Sequence, residues 1–178
     1  MALTLKKEDG SGFADSNAYA DVTDANAYHD GHLYASAWTG ASSDDKAKAL
    51  VMATRLIDAE YQFGGVKVSD EQALQWPREW CRNDDAALTA FGGGFVAVDE
   101  VPKAVVEATC EMARELLITD RTGAPAGEGL KYANVGTTQT GYDSKDRRPV
   151  ISHVAQAMLA KLGSLLRSTS GAVRLVRT

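Results

Sequence analysis

Apolar side chains recur at steps of three and four in a few stretches of this chain, and those stretches predict its helices. The clearest is AKALVMATRLIDAEYQF, where Ala47, Leu50, Thr54, Ile57 and Tyr61 form one stripe, with Lys48, Arg55 and Asp58 mostly outside it. Ser42-Ser43-Asp44-Asp45 opens this helix. The pair Gly64-Gly65 predicts its end, because glycine makes a left-handed cap easy and further helix costly. A second stripe, formed by Val105, Ala108, Thr109, Met112, Ala113, Leu116 and Leu117, follows Asp99-Glu100-Val101-Pro102. Pro102 suits the first helical turn, where a missing N–H does no harm. A third helix is predicted from Val150 to about Leu166, with Ile151, Val154, Ala155, Met158, Leu162 and Leu165 on one face. A weaker one starts at Val22, with Thr23 as cap and Asp24 at the positive end of the helix dipole. Gly31 weakens it, and it gives out near Trp38-Thr39-Gly40.

Between these stretches the pattern fades. Residues 1–21 are polar and rich in Gly, Asp and Ser, and read as an arm. In the stretch QALQWPREW, Pro77 forbids a helix interior and biases Trp76 towards extended backbone; a short helical turn from Ser69 to Gln75 precedes it, with Ser69 as its cap. Gly92 to Gly94 mark a bend, and Phe95 to Val98 an extended piece. Residues 119–149 are too long for an idle connection; Leu130 to Val135 and Thr138 to Tyr142 alternate around Gly136 and predict a projecting hairpin, whose edges a neighbouring subunit would pair. The fold class expected is mainly α: a small bundle of about four helices with a projecting loop or β-hairpin and extended N- and C-terminal arms. The domain organisation is an arm (1–21), a helical body (22–166) and a basic tail (167–178).

Charge sharpens this picture. Residues 1–146 carry 13 basic and 24 acidic side chains, whereas residues 147–178 carry six basic ones (Arg147, Arg148, Lys161, Arg167, Arg174, Arg177) and no acid. An acidic body with a cationic end implies docking on something negative, on its own body or on the next subunit. No apolar run is long enough to span a membrane, and no secretory leader is recognisable, so a cytosolic setting is expected. Cys81 and Cys110 stand in no ligand or redox spacing and read as buried thiols.

Candidate chemistry is sparse. His29 and His32 are three apart on one predicted helix, a spacing that suits two metal ligands, but no third ligand accompanies them. A small metal-dependent enzyme is therefore only a remote reading, and no phosphate-binding loop or nucleophile motif occurs; no enzyme, metal or cofactor is expected. Single-strand binding wants aromatic platforms beside cations. Here Tyr19, Tyr28, Tyr34, Trp38, Tyr61, Trp76 and Trp80 lie in the acidic portion and the basic tail has no aromatic, a separation that argues against it.

Several segments taken in order carry a resemblance: Y-A-D-V-T-D-A-N-A-Y (Tyr19 to Tyr28), A-L-V-M-A-T-R-L-I-D, Q-A-L-Q-W-P-R (Gln72 to Arg78), V-P-K-A-V-V-E-A-T-C-E-M-A and K-Y-A-N-V-G…G-Y. Together they resemble the head–tail connector, or adaptor, proteins of long-tailed bacteriophages, a family that is also labelled DnaT-like single-stranded DNA-binding protein. The resemblance implies a structural virion protein of the neck, assembled in the host bacterial cytoplasm. Its copies would form a dodecameric ring that docks on the portal protein, lets DNA pass without specific binding, and supports the next neck protein or a tail terminator. It implies that Trp76, Pro77 and Arg78 are a structural motif, with Arg78 paired to an acid of its own or the adjacent subunit. Lys131, Tyr132, Val135 and Tyr142 would meet neighbouring copies. Arg167, Arg174, Leu175, Val176 and Arg177 would meet the portal. The alternative implied by the family's second label is a single-stranded DNA-binding replication protein.

Overall fold

The computed structural model describes residues 3–83, 94–123, 132–135, 138–141 and 149–166. Helix α1 (Val22–Asp30) is opened by a reciprocal capping box, in which Asp21 accepts the Thr23 and Asp24 N–H groups at 2.7 and 2.9 Å while Asp24 accepts the Asp21 N–H at 3.0 Å. Asp21, and not Thr23, is thus the cap. The helix stops at Gly31, short of the expected Gly40, and α2 (Ser36–Thr39) is a separate turn. That break lets Trp38 fold back into the core with its ring 5.0 Å from His29 and its Nε1–H donated to Asn26 Oδ1 at 2.9 Å.

Helix α3 (Ser43–Glu60) starts at Ser42, whose hydroxyl accepts the Asp45 N–H at 3.1 Å, and buries Ala49, Leu50, Val51, Ala53, Thr54 and Ile57. It ends where Tyr61 turns extended, before the glycine pair, because β1 (Tyr61–Phe63) is needed for a sheet. Gly64 and Gly65 then turn the chain into β2 (Val66–Lys67), which pairs antiparallel with β3 (Arg78–Glu79). Gly65 has φ +70, and a Cβ there would lie 2.0 Å from the Glu79 carbonyl oxygen. Residues 70–71 form a turn and 73–75 bends, held by the Gln72 and Ser69 side chains, and no helix is formed there.

Helix α4 (Lys103–Ile118), with Pro102 one place earlier than expected as its N-cap residue, packs on α3 on one side and the last helix on the other. Strands β4 (Tyr132–Val135) and β5 (Thr138–Gly141) form an antiparallel hairpin, Val135 opposite Thr138. Helix α5 (His153–Leu159) is capped by Ser152 and ends well before Leu166. The residues after it form β6 (Gly163–Leu165), paired antiparallel with β1 so that Phe63 faces Gly163 and Tyr61 faces Leu165. A side chain at Gly163 would sit 2.5 Å from the Gln62 carbonyl oxygen, so only glycine lets the two strands meet.

Five helices and three two-stranded antiparallel sheets therefore make up the described residues, a larger β component than one hairpin. The expected extended N-terminal arm is also corrected. From Leu3 to Asp21 the chain lies on the body: Lys7 bridges Ala18, and Ala18, Tyr19 and Ala20 are fully buried. Glu8 organises this segment from inside, its carboxylate accepting the Gly10, Gly12 and Phe13 N–H groups and the Ser16 hydroxyl at 2.8 to 3.0 Å. The core that results is centred on Trp38, Leu50, Ile57, Trp76, Met112, Ile151 and Leu159. No helix among the described residues is long and apolar enough to cross a membrane.

Candidate nucleic-acid interface

The segment from Gln72 to Trp80 splits into an inner and an outer half. Trp76 is fully buried against Phe63, 5.5 Å between ring centroids, and its peptide bond to the buried Pro77 is cis. The Arg78 guanidinium is buried beside them as a knot for backbone carbonyls. Its Nε–H is donated to Gly64 O at 2.7 Å, Nη2–H to Gly65 O at 2.8 Å, and Nη1–H to Gln75 O at 3.0 Å and Gln75 Oε1 at 2.9 Å. The acidic partner expected for Arg78 is thus replaced by carbonyls, which a planar fork of donors can serve from one position.

A carboxylate stands one layer further in. Asp58 on α3 accepts the Tyr19 hydroxyl at 2.5 Å and the Gln75 N–H at 3.1 Å, and Tyr19 in turn accepts the Gln75 and Trp76 N–H groups at 3.0 and 3.3 Å. Burial pushes the Asp58 carboxyl up to about 6, against the pull of those hydrogen bonds and of Lys67 and Arg78.

Held by this knot, the next turn throws Trp80 outward. Its backbone sits at φ +61, in the left-handed region that non-glycine residues rarely adopt, and its side chain is 68% exposed. The ring stands edge to face with half-exposed Phe95, 5.8 Å apart at 87°. Strand-like pairing carries Phe95 there: Arg82 bridges Phe95, and the Val96 N–H is donated to Cys81 O at 2.9 Å. Two depressions are lined by residues of these segments, and Phe95 lines the second of them. One, of about 540 Å³, is lined by Gln62 to Gly65, Cys81, Arg82 and Ala160 to Ser164. The other, of about 490 Å³, is lined chiefly by Phe95, Val96, Pro102, Ala104 and Met158, with Lys103 at its side. Lys161 and Leu162 line both depressions.

Aromatic rings beside cations at a groove are what single-strand recognition uses. Lys161, from the basic end of the chain, lines one depression with Arg82 and the other with Phe95, both from the acidic portion. Sequence reasoning quoted Trp80 but had no signal for its outward projection, which depends on a positive φ and on the Arg78 knot.

The remaining candidates fall elsewhere. His29 is buried on α1, its Nε2–H donated to Cys110 O at 3.1 Å, and burial lowers its pKa. His32 lies 3.6 Å from Glu111, which is itself bonded to Arg114 at 2.5 Å; no group of three or more ligating side chains gathers among the described residues. Both cysteines are free and buried, and burial pushes the Cys110 thiol up to about 12. Tyr132 and Val135 occupy the two ends of β4. Lys131, Tyr142, Arg167, Arg174, Leu175, Val176 and Arg177 lie outside the described residues.

Over residues 1–178 the chain matches the family described as "Putative DnaT-like ssDNA binding protein". No curated protein and no solved structure matches the chain. The family match carries the DnaT-like label of the resemblance and says nothing of a phage connector. Spanning the chain from end to end, it establishes that this protein belongs to the DnaT-like ssDNA-binding family.

Proposed function

We propose that this protein binds single-stranded DNA on the face where Trp80 and Phe95 project beside Arg82 and Lys161. The observation that carries the reading is Trp80 itself: a large aromatic side chain exposed to solvent on a strained backbone. Exposing the ring forgoes burial, and the left-handed backbone costs about 1 to 3 kcal/mol, an arrangement typical of ligand sites. An unpaired base stacking on the ring recovers about 1 to 3 kcal/mol, and duplex DNA, whose bases are already stacked, does not. The family match points to the same ligand class.

Titration of the protein with a 12-nucleotide single strand tests this by fluorescence. Trp38 and Trp76 are buried, so quenching on binding reports on Trp80. Trp80→Gly is expected to abolish the quench and weaken binding about 10-fold. Because glycine is at ease at φ +61, relief of strain offsets the lost Phe95 contact and the melting temperature stays within about 4 °C. Absence of binding at low salt, or full affinity in Trp80→Gly, overturns the reading.

The β4–β5 hairpin supports a second reading. Its ladder has two strands, no other described strand pairs with either edge, and a strand edge is what another chain can pair with. In that reading the protein is the ring subunit of a phage head–tail neck. Lys131, Tyr132, Val135 and Tyr142 meet adjacent copies, and Arg167, Arg174, Leu175, Val176 and Arg177 meet the portal protein, with a further neck or tail protein below. Neither reading calls for enzymatic chemistry. Mass measurement of the protein mixed with portal separates the two: a defined multimer favours the ring, and two unassociated species favour the DNA binder.

A further inference from the structure

We propose that Arg78 and Gly65 are positioning residues for single-strand binding: they hold the Trp80 ring in its projecting orientation, and Arg78 strengthens the hold on DNA without itself touching a phosphate. This rests on the single-strand reading above and deepens it.

The donors of Arg78 are taken up inside the protein. A guanidinium carries five N–H groups. Five acceptors match that number here: Gly64 O, Gly65 O, Phe63 O, Gln75 O and Gln75 Oε1, at 2.7 to 3.4 Å. The residue is 7% exposed. An arginine in a nucleic-acid-binding chain ordinarily meets phosphate. This one instead ties the turn at Gly64 and Gly65 to the loop that precedes Trp76.

That turn packs directly on the Trp80 backbone. A Cβ on Gly65 would lie 2.0 Å from Glu79 O, 2.8 Å from Trp80 C and 2.7 Å from Cys81 N, so the bare Cα of Gly65 lies against the peptide groups on both sides of Trp80. A left-handed backbone at a bulky residue persists only where its surroundings over-determine it. Those surroundings are Gly65, whose carbonyl Arg78 holds at 2.8 Å, and the β2–β3 ladder, in which Val66 faces Glu79. Phe95, 5.8 Å away, completes the hold on the ring. A ring fixed in this way loses little further freedom when a base stacks on it, and affinity rises by the ordering cost that is avoided.

The experiment measures binding of a dye-labelled 12-nucleotide single strand by anisotropy, at several salt concentrations. It uses the full chain, Arg78→Gln, Gln75→Ala, Trp80→Gly, and each of the first two variants combined with Trp80→Gly. Arg78→Gln is expected to weaken binding about 5-fold, and Gln75→Ala, which removes the Oε1 acceptor, about 3-fold. Both losses are expected to vanish in the Trp80→Gly background, because the two residues act only through the ring. The slope of log K against log salt is expected to stay the same in Arg78→Gln, whereas a lost phosphate contact would make it shallower by about 0.7. Should Arg78→Gln fail to fold by circular dichroism, Gln75→Ala decides alone through the same cycle. Full affinity in Gln75→Ala, losses that multiply with that of Trp80→Gly, or a shallower slope in Arg78→Gln overturns positioning while leaving single-strand binding standing. Absence of binding by the unmodified protein overturns the single-strand reading, and positioning with it.

Discussion

Asp58 shows how much a single buried residue carries. It joins three segments, α3 through its own backbone, the N-terminal segment through Tyr19, and the 72–80 loop through Gln75. Its folded pKa of about 6 exceeds the ordinary aspartate value of 3.8, so the folded chain binds the proton more tightly than the unfolded one. The corresponding stability is fully present below pH 3.8 and is lost as pH rises through about 6. Chemical denaturation of the unmodified protein and of Asp58→Asn at pH 4.5 and pH 7.5 checks this. The stability advantage of the unmodified protein is expected to be greater at pH 4.5 by about 2 kcal/mol. An advantage that is the same at both values would place Asp58 in the ordinary carboxyl range. Arg78 is the companion case: its partners were not legible in the sequence, because a backbone carbonyl carries no sequence signature. Any residue supplies one.

At the scale of elements, the corrections share one cause. The stripe from Val150 to Leu166 is helical in period, but β1 lies beside its second half, and the ladder from Tyr61 to Leu165 ends the helix at Leu159. Likewise α3 stops at Glu60 to release β1, several residues ahead of its glycines. The N-terminal segment carries the same lesson for packing. Polar and aperiodic, it read as an arm, yet Glu8 folds its polar groups inward and Gly10 brings its backbone against the loop that precedes α4. A Cβ on Gly10 would lie 2.0 Å from the Asp99 carbonyl oxygen, at φ +105. Gly10→Ala is therefore expected to destabilise the protein by about 3 kcal/mol in thermal or denaturant unfolding. Gly31→Ala is the control: with no positive φ and its nearest contact at 3.8 Å, it should change stability by less than about 1 kcal/mol. Similar losses at the two sites would mean that the N-terminal segment is not seated as described.

For the whole molecule, net charge and groove charge point in opposite directions. The formal net charge is −5, which disfavours loose binding to nucleic acid anywhere on the surface. If Arg82 and Lys161 alone neutralise phosphates, log K for a single strand should fall against log salt with a slope of about −1.4. If Arg167, Arg174 and Arg177 of the basic end take part, the slope steepens to about −3.5. Measuring it in the full chain and in a chain ending at Leu166 assigns the contacts: an unchanged shallow slope places binding in the groove and leaves the tail for a protein partner. A loss of most binding on truncation would contradict the groove.

By itself the sequence determined the helical stripes of α3 and α4, the position of the hairpin and the DnaT-like family label, since these depend on local periodicity, local backbone limits and the order of motifs. Tertiary structure alone decided where helices yield to strands, that the polar N-terminus is packed, and that Trp80 faces outward. It also decided that Lys161 lines a depression with Phe95, from the other end of the charge gradient. Each of these depends on contacts between residues distant along the chain, where pairing and burial outweigh the few tenths of a kcal/mol that local propensity contributes per residue.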